Sequence, residues 1–314
     1  MELLPAWMKG TTPEMDKKAE KELGENPERR AEALKELRIL IKEEPGFQPL
    51  MEEEFLIRFL RGRKYDVDRA FNTVKNYYSL KSRYSGIITD FTPKDLKFIL
   101  EMDKVFISPK RARDGEGILI SFLGSFDTDV CTIEQHIAAC LIGIEVGLET
   151  EGSQICGSHC VIDMKGMTFK KLKHFCHPSL ITFVARFAQD VVPCRINGVH
   201  FVNEPFYFGA TYNIIKPFFS KKLRERMHFH STDLESLHKY LPPETLPEEL
   251  GGHLGKKDFQ DFRTMMLQNN ALLDRLNTYV FEGKKSSNQS NNSCPKLDLN
   301  TDVTTRTLFN VTPP

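Results

Sequence analysis

The 314-residue chain has one tryptophan and no excess of charge, since 43 Lys and Arg balance 43 Asp and Glu. A balanced charge lacks the broad basic footprint of a nucleic-acid binder, so no nucleic-acid partner is expected. Electrostatic attraction must then come from local clusters. No apolar run is long enough to span a bilayer. The amino terminus has no basic segment leading into an apolar one, so no secretory signal is expected. The expectation is a chain that is soluble or held peripherally on membranes. Seven cysteines, an odd number without a signal, point to reduced thiols rather than a disulfide framework. Zinc-type paired ligand motifs are missing. The Cys156/His159/Cys160 cluster and the Cys176-His177 pair therefore read as packing, and neither metal nor cofactor is expected.

Catalytic signatures are also missing. No Gly-rich phosphate loop follows an apolar run, and there is no Gly-x-Ser-x-Gly elbow or zinc-protease helix. Asp163 and Glu204, each near a strand end, are open to catalysis but suit capping of the next segment better. His228 and His230 alternate on one strand face and lack a third ligand nearby, so packing is preferred there too. The chain leans toward binding rather than chemistry, and no catalytic residue is expected.

The hydrophobic pattern is informative. Residues 1–13 read as a flexible arm, and 14–103 as an all-helical region. Leu34, Leu37, Leu40 and Ile41 recur at helical spacing inside one helix from Glu14 to Glu44, which Pro45-Gly46 stops. A second helix runs from Arg69 to Tyr84 under an Asp66 or Asp68 cap, and a third starts at Thr92-Pro93. From about residue 104 apolar strands alternate with helices. Strands are expected at Ile118–Leu123, Cys160–Met164, Val199–Val202 and Met227–His230. Helices are expected at Ile133–Leu148, Phe169–Gln189 and Asp258–Phe281. This is an α/β pattern with a mostly parallel sheet over 104–282. From 283 to 314 Ser, Asn, Lys and Thr dominate, and a disordered polar tail is expected.

One stretch, Arg195 to Arg226, organises the rest. A short apolar strand breaks at Asn203-Glu204-Pro205. Phe208, Tyr212, Ile215 and Phe219 follow at helical spacing, and Lys216, Lys221, Lys222, Arg224 and Arg226 close the segment. Taken alone, aromatics at this spacing and basic runs mean core packing and a solvated face. Together they also suit an element that meets an anionic membrane.

Several segments resemble the CRAL-TRIO lipid-transfer family. They are Phe59-Leu60-Arg61 with Tyr65-Asp66-Val67-Asp68, Ile118-Leu119-Ile120 and Val161-Ile162-Asp163. Further along come Gly198-Val199-His200-Phe201-Val202-Asn203-Glu204-Pro205, Ile215-Lys216-Pro217-Phe218 and Leu246-Pro247-Glu248-Glu249-Leu250-Gly251-Gly252. The likeness is closest to the family's tocopherol-transfer, retinaldehyde-binding and clavesin branch. It implies an apolar pocket under a lid helix at about 206–226, with Phe208, Tyr212, Ile215 and Phe219 as the lid's inner face. It implies pocket walls from Ile137, Cys140, Leu141, Ile144, Ile162, Phe187, Val192, Cys194 and Val199. It implies a phosphoinositide-binding cleft using Arg195, Lys216, Lys222 and Arg226, with Lys221 adding charge. Asn197 stands where the branch carries a second basic residue, and Cys140 and Ile144 stand where tocopherol-transfer relatives carry serines. The function so implied is a non-enzymatic cytosolic carrier of one tocopherol-like or retinoid-like lipid, exchanging it at endosomal or other phosphoinositide-rich membranes. The alternative is a clavesin-type trafficking adaptor.

Overall fold

The computed structural model describes residues 4–278. The polar tail expected over 283–314 lies outside the described residues. Residues 4–12 do not form the loose arm expected of them. The Ala6 amide donates to Pro109 O at 2.9 Å, Arg111 donates to the carbonyls of Leu4 and Ala6, and Trp7 packs on Phe262 with centroids 6.2 Å apart.

The single helix expected over 14–44 is two: α1 (Pro13–Leu23) and α2 (Pro27–Glu43). Gly24 takes the left-handed conformation (φ 69°) that ends α1, and Asn26 caps α2 by accepting from the Arg29 amide at 2.8 Å. The Gly-x-Asn-Pro signal outweighed the continuous periodicity. Next come α3 (Glu53–Gly62) and α4 (Val67–Arg83), the latter capped by Asp66. They pack through edge-to-face rings: Phe55 on Phe59 at 5.2 Å and Phe59 on Tyr77 at 5.7 Å. The helix expected at Pro93 begins later, as α5 (Lys97–Leu100), because residues 93–96 form a turn.

The sheet has five strands in the order β1-β2-β3-β4-β5. They are β1 (Val105–Ile107), β2 (Gly117–Ser121), β3 (Ser158–Asp163), β4 (Ile196–Val202) and β5 (Met227–Phe229). Only β1 is antiparallel to its neighbour. Helices α6 (Ile133–Gly147) and α7 (Glu151–Cys156) join β2 to β3. Helices α8 (Phe169–Phe175) and α9 (Pro178–Arg186) join β3 to β4, with a π-helical turn at Phe187–Val191 after α9. The one helix expected over 169–189 is thus divided, with Pro178 starting the second half. Helices α10 (Phe208–Ile215) and α11 (Lys221–Arg224) join β4 to β5, separated by a 3₁₀ turn at Pro217. Helices α12 (Leu234–His238), α13 (Lys256–Gln268) and α14 (Asn270–Asn277) finish the described chain. Asn269 interrupts the final helix expected from Asp258.

Side chains alternate across the sheet. Cys160, Ile162, Val199, Phe201 and Met227 share one face, while His159, Val161, His200, Val202 and His228 share the other.

Candidate functional site

The first face closes over a cavity of about 210 Å³. Helix α6 lends it Ile137, Cys140, Leu141 and Ile144; its strong capping box, Thr132 with Gln135, fixes where the helix starts. The sheet lends Ile162 and Val199, and the connection from α9 to β4 lends Phe187, Val192 and Cys194. Phe208, Tyr212, Ile215 and Phe219 close the remaining side. All the pocket and lid residues singled out in the sequence therefore line one space. Leu119, Ser121, His136, Phe183, Phe201, Leu223 and Met227 line it as well. Strand alternation in β2 is the signal that could have found the first two, while His136 carried no sequence signal for this place.

The outer side of the α10 segment is aromatic. Phe206 is 98% exposed and stands edge-on to Tyr207 at 5.2 Å; Phe169, half exposed at the start of α8, meets Tyr207 at 5.8 Å.

Beside the cavity lies an open cleft of about 500 Å³. Arg195, Lys222 and Arg226 line it, and so do Arg63, Lys64 and Arg69 from the α3–α4 junction. Asp66, the cap of α4, is the one acid among its lining residues. Three of the arginines are anchored to the scaffold. Arg195 pairs with Glu22 at 2.7 Å and donates to Ile155 O, and Arg63 donates to Thr73 Oγ1 at 2.7 Å and to Gln189 O at 3.2 Å. Arg226 donates to Ile196 O. Partial burial, and then the charges of Arg226, Arg69, Arg63 and Lys64, hold the Lys222 ammonium below its ordinary pKa. Such a cluster gains from an anion that neutralises it. Asn197 also lines the cleft, its amide nitrogen tied to Cys156 O at 2.9 Å.

Lys216 and Lys221 lie outside the cleft. Lys216 sits exposed on the Pro217 turn, and Lys221 is one residue round α11 from Lys222, exposed and paired with Glu225 at 3.9 Å. Lys222 and Arg226, four apart, share the face that the cleft uses.

A model of the CRAL/TRIO domain matches residues 101–252. Alpha-tocopherol transfer protein-like of Homo sapiens is 32% identical over 264 residues, covering 84% of this chain and 77% of that protein. Clavesin-2 of Rattus norvegicus is 31% identical over 261 residues, covering 82% and 80%. The chain belongs to the CRAL/TRIO family. Its family is one of lipid-binding and lipid-transfer proteins. The CRAL/TRIO match begins just before β1 and takes in the whole sheet, the cavity and the α10–α11 segment.

The remaining candidates in this CRAL/TRIO chain serve the scaffold. Asp163 is buried, and its Oδ1 accepts from the Lys165 amide at 2.9 Å and the Asn203 side chain at 2.8 Å. Glu204 accepts from the Ser231 amide at 3.0 Å. Cys160 and His159 both border the cavity, but the His159 ring bonds His200 on the far face of the sheet, so alternation separates the suspected metal cluster. Among the described residues no group of three or more His, Cys, Asp or Glu could hold a metal ion. Burial pushes the thiols of Cys140, Cys160 and Cys176 up to about 12, which leaves them protonated.

The histidines form a feature that the sequence hid. On the face away from the cavity, His159 Nδ1 lies 3.0 Å from His200 Nε2, and His200 Nδ1 lies 3.0 Å from His230 Nε2. His230 Nδ1 is 2.6 Å from Ser236 Oγ, which donates its own proton to Asp233 O. Ser236 therefore accepts from His230, and the neutral chain has one direction: each Nδ1–H donates to the next residue. Gly198 makes room for it, because a Cβ there would stand 2.6 Å from His200 Nε2 and 2.7 Å from His159 Nδ1. Gly198→Ala is expected to lower the unfolding free energy by about 1–3 kcal/mol. Denaturant titration checks this, and an unchanged midpoint would refute the steric argument.

Proposed function

We propose that this chain is a non-enzymatic lipid carrier that holds one hydrophobic molecule in the cavity and exchanges it at membranes displaying phosphoinositide headgroups. The observation that carries the reading is a shared wall: Ala188, Cys194, Ile196 and Leu223 line both the apolar cavity and the cationic cleft. Leu223 sits on α11 beside Lys222, so an anion drawn into the cleft acts on the helix that closes the cavity. Small-molecule sites usually measure about 300–1,000 Å³. The closed cavity of about 210 Å³ falls short of that, so a cargo enters with the α10–α11 segment displaced. Phe208 and Phe219 then leave the cavity on the side where Phe206 and Phe169 are already exposed, and the aromatics enter the interface. Lys216 and Lys221 add diffuse attraction to an anionic surface. The relative named alpha-tocopherol transfer protein-like favours a tocopherol-like cargo, and a retinoid-like one is the other member of the proposed class. The working place so implied is the cytoplasm, with reversible visits to endosomal or similar membranes.

The test is vesicle co-sedimentation with the Lys222→Ala/Arg226→Ala variant. With about 1 kcal/mol for each cation near an anionic surface, binding to vesicles containing a bisphosphorylated phosphoinositide should weaken about thirtyfold. Equal binding by variant and wild type would sink the cleft's role. The relatives named clavesin support a second reading, a trafficking adaptor that reads the headgroup without cargo. Native mass spectrometry separates the two: a bound lipid near one-to-one favours the carrier. A protein that stays empty after lipid is added, yet still binds the vesicles, favours the adaptor.

A further inference from the structure

The cavity wall is mostly apolar; besides Ser121 its hydroxyls are Ser158, whose Oγ lies 3.5 Å from Cys194 Sγ, and Tyr212, which donates to Met227 Sδ at 3.7 Å. Ser121, the last residue of β2, points to the cavity side, as its partner Ile162 does. Its Oγ lies 2.8 Å from Nε2 of His136, in the first turns of α6. His136 is fully buried (0% exposed), its ring is stacked on Phe126 at 5.0 Å, and its Nδ1 has no partner. Both side chains line the cavity.

The missing partner fixes the proton positions. Burial, and then the charges of Lys104 and Lys171, push His136 down to about 4, so the ring is neutral near pH 7 and carries one N–H. On Nδ1 that N–H would be a buried donor with no acceptor. On Nε2 it donates to Ser121 and leaves only an unpaired lone pair, which costs less. Ser121 Oγ is therefore an acceptor toward His136, and its own proton remains to be given. The Cys140 thiol, which also lines the cavity, is only a weak acceptor for it.

We infer that the Ser121 hydroxyl, held in place by His136, is a hydrogen-bond donor from the cavity wall to its cargo, and that the cavity selects neutral lipids with an oxygen acceptor, such as an aldehyde, ketone or ester, over hydrocarbons of the same skeleton. The inference rests on the carrier reading above. It gives the site a cargo class: a mostly apolar molecule with one acceptor oxygen placed between β2 and the start of α6. Ser121 touches the cargo, and His136 positions Ser121.

The test compares farnesal with farnesene, a terpenoid aldehyde and its parent hydrocarbon, by native mass spectrometry and competition binding. The proteins are wild type, Ser121→Ala and Ser121→Thr. The ratio of the two affinities in the variant, set against the same ratio in wild type, cancels the difference in water solubility between the ligands. Wild type should favour farnesal over farnesene about tenfold more than Ser121→Ala does, the size of one hydrogen bond to a well-placed donor. Ser121→Thr, which keeps the hydroxyl, should restore the preference, and farnesene should bind Ser121→Ala at least as well as wild type. If both ligands bind and the ratio is the same in all three proteins, the donor assignment is wrong and the carrier reading stands. If no protein binds either ligand, the carrier reading fails and this inference fails with it.

Discussion

Arg58→Leu is expected to lower the unfolding free energy by about 3–5 kcal/mol, the range for removing one partner of a buried ion pair. Arg58 is 2% exposed on α3. Its Nη1 reaches Glu145 on α6 at 3.1 Å and its Nη2 reaches Glu149, two residues past the end of α6, at 2.6 Å. Tyr77 also donates to Glu145 at 2.9 Å, and the guanidinium stands 5.0 Å over the Phe55 ring. Leucine fills much of the volume but leaves two mostly buried carboxylates without their cation. Glu145 sits on the helix that carries Cys140, Leu141 and Ile144 of the cavity wall, and Glu149 on the turn that ends it, so the damage extends to the pocket. Urea unfolding measures the effect as a lower midpoint with an unchanged slope. Adding Glu145→Gln should recover part of the loss, since it removes one stranded charge. A loss below about 1 kcal/mol would show that the pair is no more than a surface contact.

Acid should weaken the fold before the carboxylates titrate. Burial, followed by Lys104 and Lys171, pushes His136 down to about 4. Burial, followed by the neighbouring His159, His228 and His230, pushes His200 down to about 2. Both folded values lie below the unfolded histidine value of about 6.5. Above that pH neither state binds the proton, and the full stability is present. Below it the unfolded chain takes up protons that the native state refuses, and stability falls with pH. Each group contributes about 1.4 kcal/mol per pH unit, His136 until about pH 4 and His200 until about pH 2. By pH 5 the two together should have removed about 4 kcal/mol. Urea midpoints at pH 7.5, 6 and 5 read this directly. A midpoint that stays level across the series would mean that these rings take up protons in the native protein as readily as in the unfolded chain.

The cavity was legible in the sequence because local patterns place its parts. Helical spacing put Phe208, Tyr212, Ile215 and Phe219 on one side, and strand alternation put Ile162 and Val199 toward them. The cleft was half legible. The four-residue spacing of Lys222 and Arg226 put them on one side, and both line the cleft although α11 ends at Arg224, but Arg63, Lys64 and Arg69 reach the cleft only because the helical region docks beside β4. No period in the sequence records that docking. Lys216 looked equivalent to Lys222 until the Pro217 turn and the Ser220 cap put them on different elements. The histidine chain was missed for the same reason. Its members come from β3, from β4 and from the residue just after β5, and their hydrogen bonds depend on register and on the space left at Gly198.

The strand order also sets how the chain is wound. The parallel strands follow one another across the sheet, and right-handed crossovers taken in one direction stack on one face. Three windings therefore cover the cavity, and the α10–α11 segment is the last of them. It ends in β5, a strand of three residues bonded on one side only. A cavity roofed by the first winding could open only by pulling an inner strand away from two neighbours. Here the roof is the final turn of the spool, and opening needs no more than fraying at the margin of the sheet, where opening costs are lowest. The protein can thus unwind its outermost turn around a cargo while β2, β3 and β4 stay paired.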